Sequence, residues 1–100
     1  MRLDLSVVTG IGKYTKKTDK KDDKIRTLFY KDDDKVFLVV NQNTVELRTD
    51  EKLKNLLTEK YESVMESRYF GRGGIEIVVA GNQLTEDELC DLIRLSYNLS

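Results

Sequence analysis

Hydrophobic positions along the chain follow two different periods. In "RLDLSVV" Leu3, Leu5 and Val7 alternate with Arg2, Asp4 and Ser6, the two-residue repeat of a half-buried strand, so Arg2 to Val8 is read as a first strand. From Gly10 the apolar residues become too sparse to anchor structure, and "GIGKYTKKTDKKDDK" is expected to be a long polar loop. "IRTLFYKDDDKVFLVV" then predicts a hairpin, with Ile25 to Tyr30 and Val36 to Val40 as its strands. Aspartate tolerates left-handed backbone angles and bonds its own following amides, which suits "KDDDK" to the turn. "NQN" makes the next turn, and "TVELRT" a strand with Val45 and Leu47 on one face and Glu46 and Arg48 on the other.

The period then changes. Thr49 or Asp50 can cap a helix, Asp50 and Glu51 place negative charge at its positive end, and Leu53, Leu56, Leu57, Tyr61 and Val64 recur at three- and four-residue steps. A helix is predicted from about Asp50 to about Val64. "GIEIVVAG" is nearly continuous in apolar residues, as a central strand is, and the glycines before it read as a hinge out of that helix. "TEDE", Thr85 to Glu88, matches a capping box, and Leu89, Leu92, Ile93 and Tyr97 form the buried stripe of a second helix. Short turns between strands favour antiparallel pairing. The expected fold is a two-layer α+β sandwich: an antiparallel sheet of about five strands with both helices on one face, as one domain over residues 1–100.

Composition narrows the function classes. The chain carries 17 Lys+Arg against 18 Asp+Glu, so no global field draws it to DNA or to an anionic membrane, and any nucleic-acid surface has to be local. Histidine is absent, which removes the commonest proton-transfer group near neutral pH and most transition-metal sites; no enzyme activity and no cofactor are expected. A single cysteine, Cys90, excludes an internal disulfide, and its place at the border of the second helix's apolar stripe reads as packing. Asp32 to Asp34 are consecutive and diverge in a turn, so they read as solvated rather than as a cation site. No apolar run reaches signal or membrane-spanning length, and a cytoplasmic protein without a membrane partner is expected.

Two local features remain. Residues 12–26 hold seven Lys/Arg against three Asp, a local excess of four positive charges. Lys16, Lys17, Lys20, Lys21 and Lys24 could touch phosphates, with Tyr14 as a stacking group, or could simply keep a long loop soluble. In "RYFGRGG", Arg68 and Arg72 enclose Tyr69 and Phe70. These glycines follow a predicted helix and precede a strand, the reverse of a phosphate loop, so a basic-aromatic contact surface and a plain covering of the sheet's end are the readings left.

From "KVFLVV" onward the order of features resembles the MmcQ/YjbR family of small bacterial proteins. "ELRTDEKLKNLLTEKY" is similar to the family's middle segment. "GNQLTEDELCDLIRLSYNLS" matches best, through Leu84, Asp87, Glu88, Leu89, Leu92, Ile93, Ser96, Tyr97 and Leu99. The likeness spans about residues 25–100. It implies a CyaY-like α+β fold; members are often labelled DNA-binding, and no enzymatic activity is established for the family as a whole. The chain departs from the pattern at its start, where members open with a helix. It departs again at "RYFGRGGI", where members carry Asn-Lys and His-Trp.

Together these features lead to an expectation of weak nucleic-acid binding through Lys16, Lys17, Lys20, Lys21, Lys24, Arg68, Tyr69, Phe70 and Arg72. The alternative is a protein-interaction module that docks a partner, or a second copy, along Arg2–Val8 or the "RYFGRGG" surface.

Overall fold

A computed structural model of the chain describes residues 12–21, 24–32, 34–79 and 83–100. The strand expected at Arg2 to Val8 lies outside the described residues. Within them run β1 (Thr15–Lys21), β2 (Lys24–Lys31), β3 (Lys35–Val40), β4 (Thr44–Arg48), α1 (Glu51–Lys60), β5 (Val64–Ser67), β6 (Gly71–Val78) and α2 (Glu86–Leu99). The strands form one six-stranded sheet in the order β1-β2-β3-β4-β6-β5, with every neighbouring pair antiparallel. The α+β sandwich read from the sequence is the fold, with six strands where about five were expected.

Both unexpected strands correct a reading. The lysine-rich segment is not a loop: Thr15 to Lys21 pairs with β2 along its whole length, from Thr15 opposite Tyr30 to Lys21 opposite Lys24. Its ladder is backbone, its side chains from Thr15 to Lys20 are exposed, and a strand that buries nothing leaves no hydrophobic alternation to detect. The first helix ends at Lys60 instead of near Val64. Tyr61 is extended at its C-cap, and Val64 opens β5 opposite Ile77. Tyr61 and Val64 do reach the core, as the helical spacing suggested, but from beyond the helix, whereas Leu56, read into the same stripe, is 60% exposed. The glycines after Phe70 therefore open β6 in a β5–β6 hairpin and are not a hinge out of a helix.

Other local readings hold. Asp50 accepts the Leu53 N–H at 2.6 Å as N-cap. Thr85 and Glu88 exchange both bonds of the capping box, each at 3.1 Å. Asp32 adopts a positive φ of 55° in the "KDDDK" turn.

The register fixes which residues share a face. Val45 and Leu47 lie opposite Ile77 and Ile75, and together with Phe29, Leu38 and Val64 they meet Leu57 of α1 and Leu89 and Ile93 of α2. Each such side chain, fully buried, contributes about 1.5–3 kcal/mol. A bulge adds one more: Phe29 pairs with Leu38 and Tyr30 with Val36, so Phe37 is left between ladder positions and joins the helix side. There its ring stands edge-on to Tyr97 at 5.0 Å. The same bulge opens β3 from β4, and Ser96 of α2 closes the gap. Its hydroxyl donates to the Phe37 carbonyl and accepts the Arg48 N–H at 2.8 Å, so two strand groups that lost each other both keep a partner.

Candidate functional site

Alternation sends the remaining residues to the face on which neither described helix packs. β4 presents Glu46 there and β6 presents Glu76, directly opposite each other in register. Like charges across a sheet repel, and these two are 3% and 2% exposed. The segment from Ser67 to Gly71, which joins β5 to β6, resolves this by folding over the face as a strap. Glu46 Oε1 accepts the Ser67 hydroxyl at 2.8 Å and the Tyr69 N–H at 2.9 Å, while Oε2 accepts the Asn41 amide at 2.8 Å. Glu76 receives the Arg68 guanidinium in a two-point grip, Nε to Oε1 at 3.0 Å and Nη2 to Oε2 at 2.7 Å, and the Thr44 hydroxyl at 2.9 Å. Burial pushes the Glu76 carboxyl up, but the bonds from Arg68 and Thr44 and the charge of Arg68 outweigh it and hold the group below its ordinary value. The same bonds raise Arg68.

The strap also carries apolar cover. Phe70 packs on Leu28, Val36 and Val39, which form a small second core on this face. It can lie so close because Gly74 beneath it lacks a side chain: a Cβ there would stand 2.7 Å from the Phe70 Cβ and would strike the Leu47 carbonyl. The Arg48 guanidinium stacks 4.9 Å from the Phe70 ring centre while its Nε donates to the Val36 carbonyl at 2.9 Å. Gly71 ends the strap at φ 63°, a left-handed angle that glycine adopts without strain.

Between the strap and the end of the β1–β2 hairpin lies a groove of about 640 Å³. Tyr69 and Arg68 form one wall, Lys24, Ile25 and Arg26 with Asp19 the other, the Asn41–Thr44 turn closes one end, and Glu46 lies in the floor. The Arg26 guanidinium stands 5.7 Å from the Tyr69 ring centre, so the two walls touch, and it lies 3.8 Å from Asp19. Tyr69 and Ile25 are 42% and 57% exposed, which leaves apolar surface open to a ligand.

The residues singled out from the sequence are distributed by the two-residue period. Lys17 is on the groove's face, with its ammonium 5.5 Å from the Tyr30 ring centre, and Lys24 lines the groove itself. Lys21 lies opposite Lys24 in the ladder. Lys16 sits opposite Phe29 and so belongs to the helix-side face, whereas Lys20 sits opposite Ile25 at the hairpin end, where Ile25 lines the groove. Tyr69 forms a wall, Phe70 anchors the strap, and Arg68 is bound to Glu76. Arg72 is exposed on β6. Its charge adds to the hydrogen bond and charge of Lys54 that hold Glu66 below its ordinary value. Tyr14, offered as a stacking group, is packed inward against Phe29 and Phe37 at 5.6 and 6.5 Å.

Sequence reasoning passed over Asn41, Thr44, Glu46 and Glu76 as site residues. The available signal was a lone carboxylate inside each of two apolar strands, "VEL" and "IEI". Among the described residues no group of three or more His, Cys, Asp or Glu is placed to hold a metal ion, and no helix is long and apolar enough to cross a membrane. Comparison with protein-family models, with curated proteins and with solved structures finds no match for the chain.

Proposed function

We propose that the protein is a non-catalytic, MmcQ/YjbR-like binding domain that holds single-stranded nucleic acid weakly along the face of its sheet opposite the described helices. The observation that carries this reading is the convergence of Lys24 and Arg26 with the exposed ring of Tyr69 around one groove, with Lys17 farther along the same face of the sheet. Cations track a phosphate backbone, an aromatic ring takes a base, and neither needs a particular sequence. The side-chain amides of Gln42 and Asn43 add hydrogen-bonding capacity at the groove's end. Weak binding follows from the net charge of -1 and from carboxylates in the floor and wall.

The test is fluorescence anisotropy of a labelled oligothymidine across a salt series. Three phosphate contacts on a single strand correspond to a slope of log K against log salt of about -2. Lys24→Glu with Arg26→Glu abolishes the complex, whereas Lys16→Glu, on the other face, weakens it less. No complex at low ionic strength overturns the reading.

A protein partner is the second reading, favoured by Ile25, which stands exposed in the same groove as Tyr69. An extended peptide with a large apolar side chain would seat between them. Binding that is insensitive to salt and is lost in Ile25→Ser would favour it over nucleic acid.

A further inference from the structure

We infer that Arg68 serves the groove as a positioning residue and not as a phosphate contact: with the buried Glu46–Glu76 pair, it holds the strap so that Tyr69 stands against Arg26 as the groove's wall. The inference rests on the nucleic-acid reading of that groove and names which of its cations meet the ligand.

Glu76 and a ligand phosphate compete for the Arg68 guanidinium. Glu76 is out of water and beside a second carboxylate, and its only cation among the described residues is Arg68. A phosphate that drew the guanidinium away would leave Glu76 buried with no cation, held by the Thr44 hydroxyl and the Arg68 backbone N–H, so the cost of the exchange falls on the protein. Lys24 faces no such cost, because it is exposed and has no carboxylate partner among the described residues. Glu46 acts on the same segment by a second route. It takes the Tyr69 N–H and the Ser67 hydroxyl, and Ser67 in turn accepts the Phe70 N–H at 2.9 Å. The backbone on both sides of the Tyr69 side chain is thereby pinned to the sheet. Arg26 and Tyr69 meet at 5.7 Å only while that anchorage holds.

The two roles differ in the salt dependence they produce. A lost phosphate contact lowers the magnitude of the slope by about 0.7 on a single strand, whereas lost positioning lowers affinity at every salt concentration and leaves the slope unchanged. The experiment measures oligothymidine binding across a salt series for the wild type, Lys24→Ala, Arg68→Gln and the double variant Arg68→Gln/Glu76→Gln. Amide hydrogen exchange at residues 67–71 is followed in each. Expected are a reduced slope for Lys24→Ala, and for Arg68→Gln an unchanged slope with affinity reduced about tenfold and faster exchange at Tyr69 and Phe70. The double variant, which restores a neutral hydrogen-bonded pair, regains slow exchange and most of the affinity without regaining a cation. A slope reduced in Arg68→Gln and still reduced in the double variant overturns the inference while the nucleic-acid reading stands. A wild type that binds no oligothymidine overturns both, and exchange at 67–71 that is unchanged in Arg68→Gln overturns the anchorage alone.

Discussion

The two faces of this sheet are closed by different physics. On the helix side, Phe37, Leu38, Val45, Leu47, Ile75 and Ile77 are buried under α1 and α2, and the seal is apolar area. On the other side a five-residue strap, Ser67 to Gly71, lies over two carboxylates and three small apolar contacts, and the seal is a set of hydrogen bonds that must all be made. Area burial tolerates the loss of one contact and depends little on pH. A satisfied polar network fails when one member changes charge or leaves. The contrast places the adaptable surface of the molecule on the strap side, where the groove is.

The largest expected effect falls on the helix side. Phe37→Ala removes a ring that is fully buried by the β3 bulge and should cost about 3–5 kcal/mol in urea denaturation, with loss of protection spread through the core amides. Gly74→Ala should cost less, about 1–3 kcal/mol, and its effect should be local: faster exchange at Tyr69 and Phe70 as the strap lifts. Adding Phe70→Ala recovers only part of that loss, because the Leu47 carbonyl still meets the new Cβ. A Gly74→Ala variant as destabilised and as globally loosened as Phe37→Ala would erase the distinction between the faces.

Acid provides a finer separation. Glu76 is held below the ordinary carboxylate value of 4.5, so its contribution is complete above that value in the native pair and is lost as the pH falls through its lower folded value. Strap amides should therefore exchange faster below about pH 4.5, before the sheet core opens, and Glu76→Gln should flatten that dependence. Glu88 is lowered as well, by the Thr85 amide and hydroxyl and by Tyr61, so the start of α2 weakens in the same direction. Amides of Ile75, Ile77 and Ile93 should stay protected through this range. If they exchange together with the strap, the two faces unfold as one unit.

Much of the helix side is legible in residue order. The stripe Leu89, Leu92, Ile93 and Tyr97, the capping box at Thr85 and the alternation of Val45 and Leu47 each report a face turned inward, and each is local in the chain. The strap side is less legible for the opposite reason. β1 is the outermost of the described strands on its side and buries no described side chain, so its lysines look like loop; Val64 keeps a helical spacing from Tyr61 although it lies in a strand; and "RYFGRGG" has no period at all. Arg68 and Tyr69 belong to the groove by sequence expectation and by position, yet nothing near them in the chain announces that Arg68 is bound to Glu76.

The sequence alone determined the fold class, both helix starts, the β2–β3 turn and the inward stripe of α2, because caps, turns and amphipathic periods act over three or four neighbouring residues. Only the tertiary structure decided the rest. Pairing β4 with β6 set Glu46 opposite Glu76, and the β5–β6 hairpin carried Arg68 across to them. The alternation of β1 and β2 sorted the lysines onto two faces. Each of these depends on register between strands far apart in the chain, and a shift of one residue would exchange every inward side chain for an outward one.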